Sequence, residues 1–192
     1  MAGNPGELPG AAGKLVVIDT CSWQNFAVVD ALWVLESRYR GMAAWTEAVR
    51  HELRRGLPAE PALRRVLDLQ DGWLGTPLRL DQGGDEVVDL LRRGLGGEAA
   101  APLQHLGEAE AIRALERVGV RQRVFITDDG PAADFARRRS SSIHVLDAAG
   151  VLADAYAMGD VSCPAAYELL SRMWEYPPAP RRVRLPPRHE MC

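Results

Sequence analysis

The chain reads as an α/β domain built on a central parallel sheet, and three observations lead there. Short apolar runs alternate with amphipathic stretches of helical period, the pattern of strand–helix–strand units. Two of the runs, Leu15-Val-Val-Ile and Val124-Phe-Ile, are apolar throughout and too short for a helix, as strands buried on both faces are. Each leads directly to carboxylates followed by small or turn-forming residues: Asp19-Thr-Cys-Ser after the first, Thr127-Asp-Asp-Gly after the second.

The elements follow in order. The first strand covers 14–19. From Ser22 the spacing of Phe26, Val29, Leu32, Trp33 and Leu35 predicts one helix that stops near Arg40-Gly41, where glycine supplies a left-handed cap. A short second strand over 42–46 leads into a helix over 46–55, ended by Gly56-Leu-Pro58. The pattern Leu63, Val66, Leu67, Leu69 predicts a helix over 61–73, and 78–80 is a brief extended segment. A helix over 85–95 precedes a Gly- and Ala-rich loop over 94–102, and another helix opens at Gly107 and runs to about Val118. Then come a strand over 123–127, a helix over 131–139, a strand over 143–146 and helices over 148–158 and 164–174. Residues 1–13 read as a disordered lead-in, 14–175 as the domain, and 176–192 as a Pro- and Arg-rich tail that does not pack.

Composition sets outer bounds. At 192 residues, with 47% hydrophobic and 26% charged residues, the chain has the make-up of an ordinary globular domain. No apolar run approaches the ~20 residues that cross a bilayer, so no membrane association is expected. The first 13 residues lack the basic and apolar regions of a secretory signal. Cys21, Cys163 and Cys192 are odd in number and widely spaced, giving neither a disulfide framework nor zinc spacing; a cytoplasmic location is expected. The formal charge of −3 decides nothing about nucleic acid, and Lys14 is the single lysine among the basic residues.

Four acidic points carry the chemistry: Asp19, Glu52 in Thr46-Glu-Ala-Val-Arg-His-Glu-Leu, the Gly107-Glu-Ala-Glu110-Ala pair, and Asp128-Asp129. Open α/β sheets bind ligands at the carboxyl ends of their strands. Carboxylates gathered there repel one another unless a cation lies between them, and hard oxygen donors suit Mg²⁺ or Mn²⁺. Glu108 and Glu110, two apart, point to different sides of a regular helix. Glu47 and Glu52 diverge as well. Pro131 suits the first helical position, which leaves Asp128 and Asp129 just outside a helix start, where the dipole favours a carboxylate.

In this order and setting the four motifs resemble the PIN-domain nucleases. The resemblance spans about residues 14 to 150, and the Gly-Glu-Ala-Glu variant is similar to a prokaryotic subgroup related to the VapC-type toxins. It implies a three-layer PIN-like fold, a central parallel sheet flanked by helices, and Mg²⁺- or Mn²⁺-dependent cleavage of single-stranded RNA. Asp19, Glu52, Glu110 and Asp129 are then the expected catalytic acids. The metal set is drawn from Asp19, Glu52, Glu108, Glu110, Asp128 and Asp129, with Ser22 and Thr127 in support. Aligning the third motif by its alanines favours Glu110, whereas the Gly-Glu signature favours Glu108. Such proteins generally form homodimers and are silenced by a small antitoxin protein.

One departure stands out: many relatives carry Asn or Ser where this chain has Cys21, so the adjacent Ser22 is expected to hold the first aspartate or cap the helix. Cys21 is read as a buried small residue and not as a nucleophile, and Asn25 as a residue that orients backbone. Arg137, Arg138 and Arg139, or Arg181, Arg182, Arg184 and Arg188, offer phosphate contacts. Trp23, Trp33, Trp45 and Trp73 are read as core, and His51, His105, His144 and His189 show no ligand spacing. A catalytically inactive PIN-like module that binds RNA or protein is the alternative. An aspartyl phosphatase of the haloacid-dehalogenase type is disfavoured because Cys21 stands where its second aspartate would be.

Overall fold

The structure, a computed structural model, describes residues 13–80, 85–177 and 183–191. Most of the lead-in, together with Arg181, Arg182 and Cys192, lies outside the described residues. The elements are β1 (Lys14–Ile18), α1 (Thr20–Val28), α2 (Leu32–Tyr39), β2 (Ala43–Ala44), α3 (Glu47–Gly56), α4 (Leu63–Asp68), α5 (Asp85–Gly94) and α6 (Leu106–Arg117). They continue with β3 (Gln122–Ile126), α7 (Gly130–Arg139), β4 (Ile143–Leu146), α8 (Ala148–Ala157), α9 (Cys163–Glu175) and α10 (Arg188–Met191). The sheet has four strands in the order β2-β1-β3-β4, all parallel.

Three layers result because strand side chains alternate between faces. Val16, Ile18, Val124 and Ile126 point into one core with α1, α2, α8 and α9. Leu15, Val17 and Phe125 point into the other with α5, α6 and α7. The apolar runs of β1 and β3 are thus apolar throughout because both faces are covered.

Several expectations shift. The single helix predicted after Ser22 is two helices. Asp30 adopts a left-handed conformation (φ 60°), and the Ala31 N–H reaches the Phe26 carbonyl at 2.8 Å, closing α1 with a glycine-type cap built on aspartate. The helix expected over 61–73 is α4 followed by one 3₁₀ turn at Leu69–Asp71. Trp23 and Trp45 are fully buried, and half-buried Trp73 packs against Trp23 with ring centroids 6.2 Å apart, but Trp33 is 46% exposed. The tail packs where it is described. Val183 and Met191 are buried in the first core, and the exposed Arg184 donates its Nε to Asp147 Oδ2 at 2.9 Å. Proline and arginine richness describes the segment, while two apolar residues within it decide where it lies. Cys21 is a free thiol, whereas Cys163 is disulfide-bonded, contrary to the reading from spacing.

The predicted loop after α5 is anchored by a buried cation. Arg92 donates through Nη1 to the carbonyls of Glu98 (2.8 Å) and Ala101 (3.2 Å), and through Nε and Nη2 to Asp89. A side chain at Gly97 would begin 2.8 Å from Arg92, so the loop needs glycine there. Arg92→Ala is expected to cost about 2–3 kcal/mol by leaving those carbonyls unpaired. Proteolysis should then appear between residues 95 and 105; denaturant melts and mapped cleavage sites measure both effects.

Candidate active site

β1 has β2 on one side and β3 on the other, so the strand order reverses direction at the β1–β3 pair. A crevice opens at the carboxyl ends of strands so placed. The register pairs Ile18 with Ile126, which sets Asp19 beside Thr127 one step further on. Asp19 is 3% exposed and caps α1, its Oδ1 accepting the Thr20 N–H at 2.7 Å. Its Oδ2 accepts from the Thr127 hydroxyl at 3.0 Å and from the Cys21 thiol at 3.1 Å. Thr127 in turn accepts the Asp129 N–H at 3.1 Å, and Asp129 caps α7 by accepting the Ala132 N–H at 3.0 Å. Pro131 lies in the first turn of α7, as its sequence position predicted.

Two glutamates complete the cluster from the helices above. Glu52, half-buried on α3, accepts the Thr20 hydroxyl and the backbone N–H of Gly107. A Cβ at Gly107 would lie 3.0 Å from both Glu52 carboxylate oxygens, so this glycine lets the helix end approach the acid. Glu108 sits in the first turn of α6, 3.4 Å from His105 Nδ1. Burial, then the charges of Glu108 and Glu52, push the Asp19 carboxyl up to about 7 against an ordinary 3.8. Burial first, with Glu108 and Glu110 adding to it, raises Glu52 as well. The charges that act most strongly on Asp19 and Glu52 are other carboxylates, not arginines.

The remaining acids do different work. Glu110 Oε2 accepts the Ala48 N–H at 3.0 Å and so caps α3 from a neighbouring helix. Asp128 has both oxygens engaged: Oδ1 accepts the Ala148 N–H at 2.9 Å, and Oδ2 accepts from Ser22 Oγ and Asn25 Nδ2, each at 2.9 Å. It ties α1 and α8 to the end of β3. Ser22 therefore supports Asp128 and not Asp19; the hydroxyl-bearing neighbours of Asp19 and Glu52 are Thr127 and Thr20. Burial, followed by the Asp19 and Asp128 charges, pushes the Cys21 thiol well up, which leaves it a poor nucleophile. Thr20 and Gly107 were missed in the sequence. The Gly of Gly-Glu-Ala-Glu was a readable signal for Gly107, since glycine within a helix costs stability and serves where another group must approach the backbone closely.

A divalent cation suits this donor set in chemistry and charge: hard oxygens on Asp19, Glu52 and Glu108, mutually repelling. In side-chain spacing the set is open, because among the described residues no three Asp, Glu, His or Cys side chains converge as metal ligands. No family model, curated protein or solved structure matches the chain.

Two outcomes follow. Between pH 4 and 7 folded Asp19 holds a proton that the unfolded chain has released, so stability falls as pH rises through that window. In chelator the protein should melt higher at pH 5 than at pH 8, by on the order of 3 kcal/mol of stability, and Asp19→Asn should flatten the difference. Asp128→Ala acts oppositely. It leaves Ser22, Asn25 and the Ala148 N–H without their acceptor and should cost about 2–4 kcal/mol, read from denaturant midpoints.

Proposed function

We propose that this chain is a divalent-metal-dependent endoribonuclease that hydrolyses phosphodiester bonds of single-stranded RNA. The observation that carries the reading is the Asp19–Glu52–Glu108 cluster at a strand-order reversal, a buried aspartate and two half-buried glutamates on which the strongest charges are other carboxylates. The order of acidic motifs resembling PIN-domain nucleases supports it. In that reading the chain is the toxin of a prokaryotic pair, homodimeric and silenced by a small antitoxin protein.

Asp19, Glu52 and Glu108 would hold Mg²⁺ or Mn²⁺, with Asp129 reached through Thr127. Such an ion supplies neutralisation of charge on the attacked phosphate and a lowered pKa for water. The chain's own residues provide the placement. Thr127 and Cys21 fix the Asp19 Oδ2, and Thr20 and the Gly107 N–H fix Glu52. Glu52, raised by burial, would take a proton from the attacking water. Water would add to phosphorus as its proton passes to Glu52, the bond to the 3′ oxygen would break, and that oxygen would take a proton from solvent, leaving a 3′-hydroxyl and a 5′-phosphate.

One observation favours a second reading, a non-cleaving PIN-like module that binds RNA or protein: the acids do not converge as a three-ligand set among the described residues. Incubation of purified protein with mixed single-stranded RNA, in Mg²⁺, Mn²⁺ or chelator, decides between them. The nuclease reading expects cutting with either metal, none in chelator, and at least a ~100-fold loss in Asp19→Ala with its fold retained. Metal-independent cutting, or none by a folded protein, would sink it.

A further inference from the structure

The tail packs on the domain with little regular structure of its own. Residues 183–187 form neither helix nor strand, and α10 is a single turn. Val183, Pro186 and Met191 are buried, and α10 packs against α9. Ordering such a stretch costs backbone entropy at every residue, which three buried side chains offset only in part. The ion pair of Arg184 with Asp147 has its arginine exposed and adds little.

Cys163, the first residue of α9, is half-buried and disulfide-bonded. Cys21 is a free thiol that donates to Asp19 Oδ2. Three cysteines occur in the chain, which leaves Cys192 to pair with Cys163. Placement agrees with that pairing. Cys163, Ala166, Leu170 and Met173 recur at three- and four-residue steps and form one stripe of α9. The last three are fully buried in the first core, where Met191 also lies. Cys192, outside the described residues, follows Met191 directly, a Cα step of about 3.8 Å. A disulfide itself spans about 4.4–6.8 Å between Cα atoms, so the two cysteines need no long reach.

We infer that a Cys163–Cys192 disulfide latches the tail onto α9, and that thiol–disulfide exchange closes and opens this latch while the domain stays folded. On closing, oxidised glutathione accepts two electrons and two protons and leaves as two glutathione thiols. A dithiol reverses the step and becomes a cyclic disulfide itself. An oxidising compartment keeps the latch shut and a reducing one opens it. The closed tail reaches the carboxyl end of the sheet, because Arg184 holds Asp147, the cap of α8, beside the Ala148 N–H that Asp128 accepts. None of this depends on the nuclease reading.

The full chain is equilibrated with oxidised glutathione, alkylated in denaturant and digested with trypsin without reduction. Cys163 falls in peptide 140–172 and Cys192 in peptide 189–192, so mass spectrometry should find these two joined and Cys21 alkylated. Brief trypsin treatment of the native protein then reads the tail at Arg184 and Arg188. Dithiothreitol, Cys163→Ser or Cys192→Ser should each speed cleavage there at least about tenfold. Dithiothreitol should add nothing in either variant, and melting curves should keep one cooperative transition. Cys192→Ser leaves α9 untouched, so it carries the test if Cys163→Ser misfolds. Cys163 found alkylated after oxidation, joined to Cys21, or joined to a second copy overturns the latch. Tail cleavage indifferent to dithiothreitol, or loss of the whole fold on reduction, overturns it too.

Discussion

Burial of the Asp19 carboxylate among other acids is the constraint around which the remaining geometry is arranged. Parallel pairing of β1 with β3 leaves no choice about where it sits: one residue beyond Ile18, level with Thr127 beyond Ile126. The site end of the sheet therefore gathers the acids that follow both strands. Neutral donors hold Asp19, a hydroxyl, a thiol and one backbone N–H, and they offset only part of the desolvation. The charges nearest in effect raise its pKa further. A fold that needed only a helix cap at this point could use serine or asparagine without that penalty.

Adjacent acids divide their roles according to what their oxygens already touch. Asp128 and Asp129 are neighbours, yet Asp128 is filled by three donors from α1 and α8, which makes it a tie between the first core and the sheet. Asp129 turns the other way, caps α7 and communicates with Asp19 through Thr127. Glu108 and Glu110 split similarly. Both act on Glu52, but Glu108 alone of the pair acts on Asp19, while Glu110 caps α3. The cap by Glu110 fixes the distance between α3 and α6, and thereby the width of the cleft they enclose.

Period and punctuation made most of the fold legible. β1 and β3 could be read because two-sided burial writes an unbroken apolar run, and α7 because Pro131 and the preceding acids mark its start. Chain features resolved by tertiary contact were not legible. The break at Asp30 depends on a left-handed aspartate, which the apolar spacing of Phe26 to Leu35 conceals. The packing of Val183 and Met191 is hidden by the prolines and arginines around them. At the site, residue type and order pointed to Asp19, Glu52 and Asp129, but choosing between Glu108 and Glu110 required knowing that the Ala48 N–H lies within reach of one of them. Ser22 was credited to the wrong aspartate for the same reason: its partner is 106 residues away.

Gly107 links the acids to the loop that precedes α6. Because it has no side chain, the first turn of α6 comes close enough for its N–H to meet the Glu52 carboxylate. An orphan helix donor is satisfied, and the positive end of the α6 dipole partly offsets the charge on Glu52. The same approach carries Glu108 toward Asp19, so the contact that steadies one acid raises another. Upstream, His105 takes a left-handed turn into α6 from the loop that Arg92 holds at Glu98 and Ala101. Arg92, the loop, Gly107 and the acids thus form one mechanical unit. Its geometry sets both the spacing of the carboxylates and the wall of the adjoining cleft, so a displacement of α6 must alter the two together.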